Sequence, residues 1–162
     1  MSGRMDVPIA LDALPGRCLV DTGVLIRALG QRSDDETPAC IDFFNAMVGS
    51  HGKRMLIAAP TVAEMLRGNP RPLPRTRSLL VVPFDLQAAK LLGMEMPVEV
   101  LRVHRGHDQL PLSYLKYDAM IVACARRWEA ECIVALDTDH VTLAAHVGMP
   151  VVHPRELAHA RG

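Results

Sequence analysis

Along this chain, short runs of consecutive apolar residues alternate with stretches in which apolar positions recur every three to four residues. Cys18, Leu19 and Val20 form a run ended by Asp21, and Val24, Leu25, Ala28 and Leu29 then follow helical spacing. A strand is therefore expected to stop at Asp21 and a helix to start just after it. Gly30 to Thr37 is a polar connection, and Pro38 opens a helix over residues 39 to 48 with Ile41, Phe44, Met47 and Val48 as its stripe. Met55 to Ala59 reads as a second buried strand closed by Pro60, and Thr61 to Glu64 match a capping box ahead of a short helix that stops at Gly68. Leu79 to Phe84 is a third strand, and Asp85 begins a helix to about Met96. Pro97 to Leu112 reads as an inserted polar loop containing His104, Arg105 and His107, whose composition suits solvated surface better than metal binding. The strongest helical signal runs from Ser113 to about Glu131, with Asp118, Ile121, Val122 and Ala125 on one face. Cys132 to Leu136 is a fourth strand ended by Asp137; a short helix to Val147 follows, then Val151 and Val152 as a last strand before Pro154.

Strands alternating with helices imply right-handed crossovers and a parallel sheet covered on both faces. The expected fold is α/β: a three-layer α/β/α sandwich around a mostly parallel sheet of about five strands. At 162 residues the chain suits one domain, read as residues 17 to 157, with a leader over 1 to 16 and a tail over 158 to 162. The four cysteines, Cys18, Cys40, Cys124 and Cys132, show no C-x-x-C spacing, which points to a reduced, cytoplasmic protein. Asp6, Asp12 and two prolines interrupt the apolar character of the N-terminus, so neither a signal peptide nor a membrane span is expected. Formal charge balances to zero, so any case for nucleic acid rests on local charge.

Four acids carry the candidate chemistry. Asp21 and Asp137 stand at strand ends; Glu64 and Asp118 stand near helix starts that open on the same sheet edge, where α/β proteins place their ligand crevice. Each has a bland explanation as well. Asp21 or Thr22 suits a helix cap, and the Glu64 carboxylate suits the capping box. Asp118, on a core-facing stripe, is costly unless paired, hydrogen-bonded or bound to a cation. Carboxylates ~4 Å apart repel by about 1 kcal/mol per pair in water and about 4 kcal/mol at an effective dielectric of 20, so a converging set calls for cations. Oxygen-only ligation suits Mg²⁺ or Mn²⁺; zinc would call for His or Cys. Arg67, Arg71, Arg75 and Arg77 lie in a stretch with no acid between Met65 and Phe84, and Lys116 lies two residues before Asp118. These basic residues are either solvated surface or a track for a phosphate backbone.

The segments V-D-T-G-V-L, P-T-V-A-E-M-L-R-G, Y-D-A-M-I-V-A and V-A-L-D-T-D-H, in this order and spacing, resemble the PIN (PilT N-terminal) domain family. Toxin ribonucleases of the virulence-associated protein C type, from toxin–antitoxin pairs, are the members it looks most like. The resemblance spans about residues 17 to 157. It implies a PIN-like nuclease domain acting as an Mg²⁺- or Mn²⁺-dependent endoribonuclease on RNA. Asp21, Glu64, Asp118 and Asp137 would form its acidic tetrad, Asp139 an auxiliary metal acid and Thr22 a supporting hydroxyl. A small cognate antitoxin and a homodimer are the implied partners. Gly23 stands where Asn or Ser is more usual, and Ala135 where a Thr or Ser often supports the metal. Those departures motivate an alternative, a non-catalytic PIN-like protein that binds RNA or a partner. Two remoter alternatives are an aspartic protease, from Asp21-Thr22-Gly23, and a phosphoaspartate receiver, from acids at strand ends.

Overall fold

The structure is a computed structural model and describes residues 14–68, 72–105, 112–136 and 139–158. Its order is β1 (Arg17–Val20), α1 (Thr22–Ala28), α2 (Thr37–Gly49), β2 (Arg54–Ala58), α3 (Ala59–Gly68), β3 (Leu79–Val82), α4 (Leu86–Glu95), α5 (Val98–Arg105), α6 (Leu112–Arg127), β4 (Cys132–Val134), α7 (Asp139–His146), β5 (Val151–Val152) and α8 (Pro154–Ala158). The five strands form one sheet in the order β3-β2-β1-β4-β5, and every pairing is parallel.

Side-chain alternation along the central strands builds a core on each face. Leu19, Leu56, Ala58 and Ile133 join Ala119, Ile121, Val122 and Leu143 on one side of the sheet. Cys18, Val20, Met55, Ile57 and Val134 join Val24, Leu25, Phe43, Met47 and Leu157 on the other. Successive residues of a strand point to opposite faces, so a central strand apolar throughout has to be covered twice. Helices α1, α2, α3 and α8 cover one face and α4 to α7 the other. From β1 to β3 the chain steps one way across the sheet; from β3 to β4 it returns, and with right-handed crossovers that reversal moves the helices to the opposite face. All four thiols are buried and unpaired; desolvation pushes Cys40 and Cys124 up to about 11 and Cys132 to about 12, so they behave as small apolar groups.

Several expectations shift. Helix α3 starts at Ala59, ahead of Pro60, because a helix's first turn does not need the missing N–H. Thr61 is consequently inside the helix and fully buried, and the expected capping box does not form. On α2 the buried residues are Thr37, Cys40, Phe43, Ala46 and Met47, while Ile41 and Val48 are exposed. The period was right, but six apolar residues between 41 and 48 left its phase open. Residues 98–105 of the expected inserted loop form helix α5, and His107 lies outside the described residues. Strand β3 ends at Val82, before Pro83, and as an edge strand leaves Leu80 and Val81 exposed. Of the expected leader, residues 1–13 lie outside the described residues, whereas the Gly16 amide donates to Glu131 Oε2 at 2.8 Å. No helix among the described residues is long and apolar enough to cross a membrane.

The aspartic-protease reading fails on the fold, since Asp21-Thr22-Gly23 opens a helix in a parallel α/β sheet and those enzymes are all-β. The receiver reading fails on strand order, because the flavodoxin-like arrangement runs 2-1-3-4-5.

Candidate active site

The strand order reverses between β1 and β4, and at such a switch point the carboxyl ends of two neighbouring strands diverge into a crevice. Asp21 is the residue immediately after β1. Its amide donates to the Val134 carbonyl at 3.0 Å, which joins it to the end of β4, and its own carbonyl accepts from the amides of Val24 and Leu25 at 3.2 and 3.3 Å to start α1. Asp21 occupies the N-cap position with extended geometry, yet its side chain makes no capping hydrogen bond. The residue is only 8% exposed, directly beyond the end of β1.

Glu64 comes to the same place from α3. Two hydroxyls donate to one of its oxygens, Oε2: Thr22 Oγ1 at 2.8 Å and Tyr117 Oη at 2.9 Å. Thr22 follows Asp21 in sequence and Tyr117 precedes Asp118, so one carboxylate ties the residues beside the other two acids together across three separate elements. Burial first, and then the Glu64 carboxylate, push the Tyr117 phenol well above its ordinary value; it stays protonated and stays a donor. The buried Thr61 hydroxyl lies near enough to favour the phenolate slightly, but among the described residues no partner stands in hydrogen-bonding geometry with it.

Asp118 sits half-buried on α6, as its stripe position anticipated. Asp137 lies outside the described residues, and Asp139 is the first residue of α7. Among the described residues no three His, Cys, Asp or Glu side chains are grouped so that they could hold a metal ion, so the expected convergence of the acids is not seen there. What meets here is one carboxylate, Glu64, and the two hydroxyls that donate to it; all are oxygens, and neither His nor Cys joins them among the described residues.

Beside Glu64 and Thr22 opens a hollow of about 370 Å³, also lined by Ile26, Gln31, Arg32 and Met65. Gln31 and Arg32 carry no motif, and neither stood out in the sequence. They reach the site because α1 ends in a tight reversal: Gly30 adopts φ +75°, its amide donates to Arg27 O at 3.1 Å, and the Gln31 amide donates to Ile26 O at 2.8 Å. Arg27 braces the turn from below. Its guanidinium donates to the Gly23 carbonyl at 2.8 Å and grips Asp34 at 2.7 to 3.0 Å, and that hydrogen bonding holds the Asp34 carboxyl down to about 2.

Arg67, Arg75 and Arg77 are exposed, and Arg71 lies outside the described residues. Lys116 is exposed as well and lines a separate, mostly apolar hollow of about 590 Å³ with Phe84, Leu92, Met96 and Met120. Ala135 is buried in the core beneath α6, its amide donating to Val152 O at 3.1 Å.

A family model of the PIN domain matches residues 18–145. Among solved structures, a chain of the FitAB complex bound to an IR36 DNA fragment is similar, with a TM-score of 0.57 at 18% identity, covering 85% of this chain and 95% of that one. A chain of VapBC2 from Rickettsia felis, bound to a DNA fragment from their promoter, is similar with a TM-score of 0.56 at 12% identity, covering 85% and 98%. At these identities the likeness concerns the fold. No curated protein matches the sequence.

Proposed function

The chain belongs to the PIN-domain family, and from that premise we propose that it is a divalent-metal-dependent endoribonuclease, the toxin of a toxin–antitoxin pair. PIN domains are generally nucleases and typically use divalent ions. The observation that carries the reading for this chain is the pair of hydroxyl donors on Glu64, which draws Asp21-Thr22 and Tyr117-Asp118 to one carboxylate at the sheet's switch point. Asp21, Glu64 and Asp118 are the proposed metal and catalytic acids, joined by Asp137 and, in an auxiliary place, Asp139. When bound among these oxygens, Mg²⁺ or Mn²⁺ supplies an activated water and offsets charge on the phosphodiester. Thr22 and Tyr117 hold the Glu64 side chain through Oε2, and a metal ion would draw on the carboxylate so oriented. Asp21, anchored to Val134 through its amide, supplies a carboxylate that backbone hydrogen bonding keeps in register. Exposed Arg67, Arg75 and Arg77, with Arg71 and Lys116, provide the proposed contacts to the RNA backbone.

The partner reading draws on the similar chains, which come from the two-component complexes FitAB and VapBC2. A small cognate antitoxin covering the acids would restrain this nuclease in the cytoplasm, and a homodimer is the proposed assembly. The test is purified protein, freed of any partner, incubated with total RNA and Mg²⁺ or Mn²⁺, with EDTA as control. Cleavage lost in EDTA and in Asp21→Asn or Asp118→Asn is expected; growth arrest on expression, relieved by the neighbouring gene, is expected for the toxin role. With Mn²⁺ at ~100 times its dissociation constant, the wild type should gain about 2.7 kcal/mol of stability and either variant much less. Absence of cleavage by a folded, Mn²⁺-binding protein would favour the non-catalytic reading, which the alanine at position 135 motivates.

A further inference from the structure

The hollow beside Glu64 has a composition that a metal site alone does not require. Thr22 and Glu64 line it together with the apolar side chains of Ile26 and Met65, and Gln31, Arg32 and Gly68 complete the lining. Met65 is buried in the core of the α1 face and the half-buried Ile26 packs against that core, so both side chains are held in place. The volume, about 370 Å³, lies toward the small end of ligand sites, roughly 300 to 1,000 Å³, and suits one planar group in place of a helix or strand.

The polar groups Gln31 and Arg32 of its lining are presented on rigid backbone. The amides of Gln31 and Arg32 both donate to the Ile26 carbonyl, at 2.8 and 3.2 Å. Among the described residues the Arg32 guanidinium makes one ion pair, a 3.5 Å contact to Asp34 Oδ2, an oxygen that already accepts from Arg27 at 2.7 Å. Its side chain is 61% exposed, so most of its donors are open to a ligand. Gln31 offers a donor and an acceptor side by side, the pattern that pairs with the edge of a base.

We propose that this hollow is a nucleotide subsite: one unstacked base of the RNA strand enters between Ile26 and Met65, Gln31 reads its edge, and Arg32 holds its phosphate next to the acids. The proposal rests on the ribonuclease reading and adds a source of sequence preference to it. Single-stranded RNA is recognised through splayed bases read on their edges, whereas phosphate contacts position without discriminating.

The full chain is titrated in EDTA with AMP, CMP, GMP and UMP separately, following amide chemical shifts. One nucleotide is expected to bind about tenfold more tightly than the weakest. Gln31→Ala should bring the four toward parity, and Arg32→Ala should weaken all four about equally, by about tenfold. Gly68→Leu adds a side chain to the lining of the hollow, where a β-carbon at position 68 meets nothing within 4 Å, and should abolish binding while the protein still melts cooperatively. Four equal affinities that Gln31→Ala and Gly68→Leu leave unchanged, or no binding to wild type, would overturn the subsite. Because this binding needs no metal and no cleavage, the two proposals fail separately. Metal-dependent cleavage without nucleotide discrimination removes only the subsite, and discrimination without cleavage removes only the nuclease.

Discussion

Tyr117→Phe isolates one hydrogen bond at the centre of the proposed site. The ring packs against the core of the α6 face, so Phe keeps the apolar contacts and removes only the 2.9 Å bond to Glu64. A hydrogen bond to a charged group contributes about 1.5 to 3 kcal/mol when sheltered; Glu64 is exposed, water replaces the lost donor, and a loss of about 1 kcal/mol is expected. For a chain of this size that lowers Tm by about 2–4 °C. The effect on metal should be larger in proportion. Losing a partner that orients a ligand costs about 10- to 100-fold in affinity, and since Thr22 still donates to the same oxygen, the lower bound of about tenfold applies. Calorimetric Mn²⁺ titration of wild type, Tyr117→Phe, Thr22→Val and the double variant measures this. The double variant should lose more than the sum of the two singles, because either hydroxyl alone still restrains Glu64. Unchanged Mn²⁺ affinity in a Tyr117→Phe protein that has lost the expected stability would refute the reasoning, since the bond would then be purely structural.

Gly23→Ala should stabilise the protein by about 0.4–1 kcal/mol in chemical denaturation, because a β-carbon there meets only Arg27 Nη1 at 3.5 Å and Leu136 Cδ1 at 3.8 Å, ordinary contacts within a helix. The Asp34 carboxyl is held down to about 2 chiefly by its hydrogen bonds from Arg27, so its folded value lies below its unfolded one. Its stabilisation is therefore complete above the ordinary carboxylate range and disappears as pH falls through about 2. Urea melts should accordingly show Asp34→Asn less stable than wild type at neutral pH, with the gap closing in acid; a gap independent of pH would remove the ion pair as its source. Replacing Arg71, Arg75 and Arg77 together should flatten the slope of log K against log salt for single-stranded RNA by roughly 2, at about 0.7 per phosphate contact. An unchanged slope would return these arginines to ordinary solvated surface.

Much of the architecture is written in local pattern. Fully apolar tripeptides such as Cys18-Leu19-Val20 and Cys132-Ile133-Val134 specify strands that need cover on both faces, and the helices between them oblige those strands to run parallel. The placement of Asp21 at a strand end and of Asp118 on a buried stripe was legible for the same reason, since strand period and helix period are properties of neighbouring residues. Where local signals compete, packing decides between them. Thr61 and Glu64 fit a capping box, yet Pro60 was equally able to sit inside the first turn, and burial of Thr61 and Met65 against the sheet decided in favour of the earlier start.

The sequence by itself determined which segments are strands, that they run parallel under cover on both faces, and that Asp21 follows the end of the first. Only the tertiary structure decided what those carboxylates touch. Tyr117 lies 53 positions from Glu64, and Thr22 lies 42, yet both donate to one oxygen because α1, α3 and α6 converge at the reversal of strand order. Arg32 and Gln31 reach the same hollow through a helix-terminating turn at Gly30 braced by Arg27 and Asp34. A side chain's environment in a packed fold is set by elements distant in sequence, and hydrogen bonds a few ångströms long leave no periodic trace along the chain.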